Sequence, residues 1–141
     1  MTSPHHIALV NARIWTGNAK RPWADALLTN DDRIELLGTS AEVRKRIVPS
    51  AQVIDARGML VAPGWTQGGG NQDDERLIEA LQRMVRGATQ ADITVLEAGA
   101  VANLVILDRD ITRAKPENVG DAKVVLLVEA GRVAHDRAGF L

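Results

Sequence analysis

Cysteine and tyrosine are absent from this chain of 141 residues, and it has only three tryptophans and one phenylalanine. Without cysteine there is no disulfide, no thiolate metal ligand and no cysteine nucleophile, and a cytoplasmic location is the default expectation. Proteins that bind single-stranded nucleic acid stack successive bases on aromatic side chains. The shortage of aromatic rings therefore argues against that class and predicts an aliphatic core.

An excess of positive charge is also missing, because 17 Lys and Arg face 18 Asp and Glu, for a formal net charge of -1. Nucleic acids and anionic membrane surfaces are usually bound by a basic surface, so we expect neither as a partner. No run of 18 apolar residues predicts a membrane span, and residues 1–6 do not resemble the start of a signal peptide.

The composition that remains is that of an ordinary globular protein, with 45% hydrophobic and 25% charged residues. A chain of this length predicts a single domain over residues 1–141. The pattern of apolar residues predicts a mainly β fold, either a small β-sandwich or a flattened barrel, with one long and one short helix.

The first half reads as strands with one short helix. Residues 7–15 predict one strand, and runs at 26–29 and 33–37 predict a hairpin because Asn and Asp between them favour a turn. Ser40 stands where it can cap a helix of about two turns over residues 41–47.

Residues 51–63 predict a tight pair of strands, with a turn at Arg57-Gly58. A linker over residues 65–74, which contains three consecutive glycines, separates this pair from the clearest helix, 74–88. That helix carries one apolar stripe at helical spacing, and Gly87 is placed to cap its end.

The second half returns to strands. We expect strands over residues 93–97, 103–108 and 123–130, all rich in β-branched and aliphatic residues. Ala130-Gly131 then predicts a hairpin turn before residues 132–135.

Two segments resemble metal-dependent amidohydrolases. The runs VNARIWTG, DRIELLG and VIDARGMLVAPGW resemble the amino-terminal segment of that family, and LEAGAVANLVILDRDI with DAKVVLLVEAGRVAHD resembles its carboxy-terminal segment. The resemblance implies that residues 7–64 and 92–136 together form one small β-sandwich, bridged by the helix 74–88. In the family, a metal-bearing (β/α)8 barrel lies between the two segments.

The features that would make this chain a family hydrolase are missing from its sequence. The resemblance places the family's His-x-His metal motif at Gly69 and Asn71, and neither can replace an imidazole ligand of zinc. Between Gly64 and Leu96 there are 31 residues, whereas a (β/α)8 barrel needs about 200 or more. The family's Ala-Asp before the aliphatic run is Ala102-Asn103 here, at a position we interpret as structural.

Few residues remain as candidates for a site. His5, His6 and His135 are weak metal candidates, since adjacent histidines on a strand point to opposite faces. Asp108 and Asp110 follow a strand and are best interpreted as turn residues. The tryptophans are candidates for an interface, because rings that once packed on a barrel would be exposed and would favour self-association. They are Trp15, Trp23 and Trp65.

We therefore expect an amidohydrolase-like sandwich with no intrinsic hydrolase activity, no catalytic residue and no cofactor, which acts as an assembly or binding module. The alternative is a hydrolase of carbon–nitrogen bonds with a metal site built anew or shared between subunits. A third possibility is a truncated gene product without a selected activity.

Overall fold

The computed structural model of the chain describes residues 5–66, 74–88, 92–113, 122–137 and 139–140, apart from the side chains of residues 74 and 75. The strands are β1 (Ile7–Val10), β2 (Arg13–Trp15), β3 (Trp23–Ala24), β4 (Ala26–Asn30), β5 (Arg33–Gly38), β6 (Gln52–Asp55), β7 (Leu60–Pro63), β8 (Leu104–Leu107), β9 (Val124–Glu129) and β10 (Arg132–Asp136). The helices are α1 (Ser40–Arg44) and α2 (Asp74–Val85).

Two mixed sheets make up the fold, so the prediction of a mainly β chain with two helices is confirmed. Sheet A has the strand order β5-β4-β1-β6, and sheet B has the order β10-β9-β8-β7-β2-β3. β1 pairs with β6 in parallel, as β2 does with β7, and the other pairings are antiparallel. Sheet B joins β2, β3 and β7 of the first half to the strands of the second half.

The prediction of a single strand over residues 7–15 is wrong. Asn11 has a φ of 54°, a left-handed conformation that asparagine tolerates better than most residues, and it breaks the segment into β1 and β2. The predicted strand pair over residues 51–63 is wrong for the same reason. A turn in which Arg57 has a φ of 57° places β6 in sheet A and β7 in sheet B. The chain therefore passes twice from one sheet to the other at neighbouring positions.

Two further elements differ from their predictions. α1 has five residues rather than two turns, and its cap is Thr39, whose side chain and that of Glu42 form a reciprocal capping box. Residues 93–97 do not form a strand, since only Ile93 makes a bridge, with Trp65. The predicted hairpins β4–β5 and β9–β10 are both confirmed.

α2 confirms the predicted long helix. Its end is closed by hydrogen bonds from Gly87 N to the Met84 oxygen and from Ala88 N to the Arg83 oxygen, the pattern of a Schellman motif. Within the described ranges, neither helix has the length and hydropathy that crossing a membrane requires. The predicted linker is only partly visible, since residues 67–73 lie outside the described part of the chain, as do the positions of Gly69 and Asn71.

The buried apolar side chains form three clusters. The main core lies between the sheets and includes Leu9 and Ile54 of sheet A with Val61, Leu104 and Leu126 of sheet B. A second cluster joins the outer face of sheet B to α2. A third joins the outer face of sheet A to Val43 of α1. Each outer face of the sandwich is thus covered by a helix.

Candidate functional site

The chain closes on itself where the resemblance predicts that a barrel would be inserted. Trp65 and Ile93 form an antiparallel bridge. Thr66 N donates to the Asp92 oxygen at 2.6 Å, and Thr94 N donates to the Gly64 oxygen at 2.9 Å. We call these paired residues, 64–66 and 92–94, the stem. The two ends of the segment between the family-like halves are therefore held side by side.

Asn103 fastens the stem to sheet B. Its Nδ2 donates to the oxygens of Trp65 and Thr66 at 2.9 and 3.1 Å, and its Oδ1 accepts from Ala130 N at 2.8 Å. Gly64 N also donates to the Asn103 backbone oxygen. The side chain is 4% exposed, so these bonds replace those that water would make. These contacts give the position the structural role that the sequence indicated.

α2 lies on the outer face of sheet B next to the stem. Leu77, Ile78 and Leu81 of the helix pack in one buried cluster with side chains of β7, β8 and β9. Trp15, Trp65 and other partly buried residues border this cluster. The face of sheet B that would otherwise present a wide apolar surface is therefore covered from within the chain.

An open groove of about 420 Å³ lies beside the end of α2. Its wall is mostly apolar and consists of Trp15, Gly17, Asn18, Ala19, Pro22, Met84, Gly87, Ala88, Ile93 and Val95. The polar side chain in this wall, Asn18, already accepts from Lys20 N and lies 3.4 Å from the Glu97 carboxylate. The groove could hold a small apolar group, but it presents no nucleophile or general base.

Arg13 and Asp110 form a close, partly buried ion pair. Arg13 Nε lies 2.7 Å from Asp110 Oδ2, and its guanidinium lies 3.8 Å from the centroid of the Trp23 ring. Partial burial alone would raise the pKa of Asp110, but hydrogen bonds from Thr112 and the Arg13 charge outweigh it and lower that pKa. An ionised aspartate fixed to an arginine positions the backbone and is a poor proton carrier, as the turn interpretation of Asp110 predicted.

The tryptophans differ in their surroundings. Trp15 and Trp23 are cross-strand partners, and Trp23 is 37% exposed. Trp65 lies in the stem, where its Nε1 is buried without a partner. The sequence indicated all three rings as candidates but gave no prediction that Arg13 stacks on Trp23. Alternation along β2, which sets Arg13 and Trp15 on one face, was the signal that could have indicated it.

The histidines do not come together as a metal centre. His5 N and His6 Nδ1 contact the Asp31 carboxylate and the Thr29 oxygen, next to sheet A. His135 lies on β10, at the far edge of sheet B. Throughout the part of the chain that the structure describes, no group of three His, Asp or Glu residues is arranged to hold a metal ion. The donors in the described residues therefore do not fit the zinc that the family resemblance implies.

The comparisons with known proteins are partial. No family model matches the sequence. Over 65 residues, or 46% of the chain, it is 37% identical to the N-substituted formamide deformylase of Arthrobacter pascens, and the match spans 12% of that enzyme. The predicted resemblance to amidohydrolases is thereby confirmed for part of the chain.

Solved structures are similar over small shares of their length. An enamidase described as a member of the amidohydrolase superfamily is 20% identical, with a TM-score of 0.37, over 68% of this chain and 36% of that one. An uncharacterised metal-dependent hydrolase from Pyrococcus furiosus is 19% identical, with a TM-score of 0.39, over 60% of this chain and 21% of that one.

Proposed function

We propose that this chain, which resembles metal-dependent amidohydrolases over part of its length, is their β-sandwich without the catalytic barrel and works as an assembly or binding module. The observation that carries the proposal is the stem. Because the Trp65–Ile93 bridge joins the two places between which a barrel would be inserted, only residues 67–91 remain outside it. A (β/α)8 barrel needs about 200 residues or more.

The chemistry of the available side chains supports the same proposal. The positions of the family's paired histidines are Gly69 and Asn71 in this sequence. His6 lies just before β1 of sheet A and His135 lies on β10 at the edge of sheet B. Neither belongs to a group of three donor residues, among those the structure describes, that could hold a metal ion. A cytoplasmic location is part of the proposal, since a chain without cysteine gains nothing from an oxidising compartment.

The competing function is hydrolysis of a carbon–nitrogen bond outside peptides. It is favoured by the match to the N-substituted formamide deformylase. It requires a metal site, built anew or shared between copies of the chain, from His5, His6, His135 and the aspartates. A shared site of this kind would bind zinc only in the assembled protein and would lose it with any one of its ligands.

Metal content and turnover decide between the two functions. The chain is purified without an affinity tag, dialysed, and analysed for zinc and for hydrolysis of N-substituted formamides, amides and esters, with and without added zinc. The matched control is His135→Ala, which changes an exposed side chain. We expect less than one zinc per ten chains and no turnover above the variant. One zinc per chain, with turnover that the variant loses, would establish the hydrolase.

A further inference from the structure

We propose that the outer edge of β6, which no strand of the described residues covers, pairs with β6 of a second copy of this chain in antiparallel orientation. This inference deepens the assembly role under the proposed function and rests on it. It concerns backbone groups at one sheet edge together with Val53, which is 51% exposed and is the most exposed large hydrophobic residue in the described part of the chain.

Within sheet A, β6 forms backbone hydrogen bonds on one side only, with β1. Gln52 N donates to the His6 oxygen and Ala56 N to the Val10 oxygen, so alternate residues of β6 face β1. The N–H and C=O groups of Val53 and Asp55 therefore point away from sheet A. An edge with such unpaired groups is a template for another strand.

The other sheet edges in the described residues are protected against such pairing. β5 is covered by residues 99–102, through bonds such as that from Ile34 N to the Ala100 oxygen. β10 is interrupted by a bulge between Val133 and His135 and is mostly charged or polar. β3 has two residues. β6 has four residues in regular register, without the proline, lysine or bulge that often protects an edge, and its one charged residue, Asp55, stands at its end.

A two-fold pairing of β6 also suits its side chains. With Val53 opposite Val53 of the second copy, the two residues exchange their N–H···O=C bonds. The valine side chains lie on the same face and shield each other from water, which stabilises cross-strand pairs. Asp55 then faces Ala51 of the other copy, so that no like charges meet. Because each copy presents the same residues, the contact closes as a dimer and does not propagate.

The test is the oligomeric state over a range of concentrations, measured by sedimentation equilibrium. We expect a dimer for the natural chain and a weakening of about tenfold or more for Val53→Lys, which places like charges at the centre of the contact. Val53→Pro removes one outward N–H and leaves the bonds to β1, so it should have the same effect. Urea unfolding shows whether each variant is folded. If Val53→Pro does not fold, the result for Val53→Lys alone decides the test.

Trp23→Ser is the matched control, because Trp23 is also an exposed hydrophobic residue but lies at the far edge of sheet B. It should leave the dimer intact. A monomeric natural chain overturns the β6 pairing, as does a dimer that survives both Val53 variants or that Trp23→Ser dissociates. Hydrolase turnover, measured separately, overturns the proposed function without bearing on the pairing.

Discussion

Truncation of Leu81 tests whether α2 covers sheet B as the structure has it. Leu81 is 0% exposed and packs in the cluster that joins the helix to β7, β8 and β9. Leu81→Ala removes three carbon atoms from a closed site and leaves a cavity. Substitutions of this kind cost about 2–5 kcal/mol. We expect the free energy of unfolding to fall by about 3 kcal/mol in urea titrations, with a lower melting temperature.

The control lies on the opposite side of the same helix. Glu79 is exposed, and Glu79→Ala exchanges one good helix former for another, so we expect a change within about 0.5 kcal/mol. If Leu81→Ala costs no more than Glu79→Ala, the helix does not pack on sheet B. The account of how this chain covers its apolar face would then be refuted.

Three further substitutions test separate contacts. Gly131 and Gly58 both have a φ of 77°, but a Cβ at Gly131 would lie 1.8 Å from the Asp31 oxygen in the β4–β5 turn, whereas a Cβ at Gly58 would meet no atom within 4 Å. In urea titrations, Gly131→Ala should therefore lower the free energy of unfolding by at least about 2 kcal/mol more than Gly58→Ala does. Asn103→Asp removes the two N–H donors to the stem and buries a charge, so it should lower the free energy of unfolding by about 2–4 kcal/mol at pH 7. The loss should be smaller at pH 4, where the carboxyl binds a proton, and equal losses at the two pH values would contradict this. Asp110→Asn should cost about 1 kcal/mol at neutral pH. Because the folded-state pKa of Asp110 is lowered, its contribution exists above the unfolded pKa of about 3.9 and disappears as pH falls through the folded value, so a pH-independent loss would exclude the ion pair with Arg13.

Local patterns in the sequence predicted the elements better than their arrangement. Alternation and turn residues located both hairpins, and one apolar stripe located α2. The passage of the chain between sheets was missed, because it depends on left-handed backbone at Asn11 and Arg57, which no hydrophobic pattern reports. Residues 93–97 look like a strand in composition, but Ile93 and Thr94 pair with another segment, residues 64–66, and so form the stem. Composition cannot specify a distant partner, and tertiary context decides such segments.

The candidate site was predictable mainly through what the sequence does not contain. Two features could be read directly from the sequence: Gly69 and Asn71 stand where the family has its paired histidines, and only 31 residues separate Gly64 from Leu96. The hydrogen bonds of Asn103 could not be predicted, since they join backbone groups of the stem and of the β9–β10 turn that are far apart in sequence. The edge of β6 was missed as well, because an edge exists only once the strand order is known.

Nuclear magnetic resonance can show whether Trp65 and Ile93 are adjacent in solution, and so whether the sandwich is closed by the stem. In the bridge described here they form a non-hydrogen-bonded antiparallel pair, which places their Cα atoms about 4.5 Å apart. A closed stem predicts a strong nuclear Overhauser effect between the two Hα protons and slow amide exchange at Thr66 and Thr94. Fast exchange at both amides and no contact between the Hα protons would show that the stem is open, and would contradict a sandwich closed without a barrel.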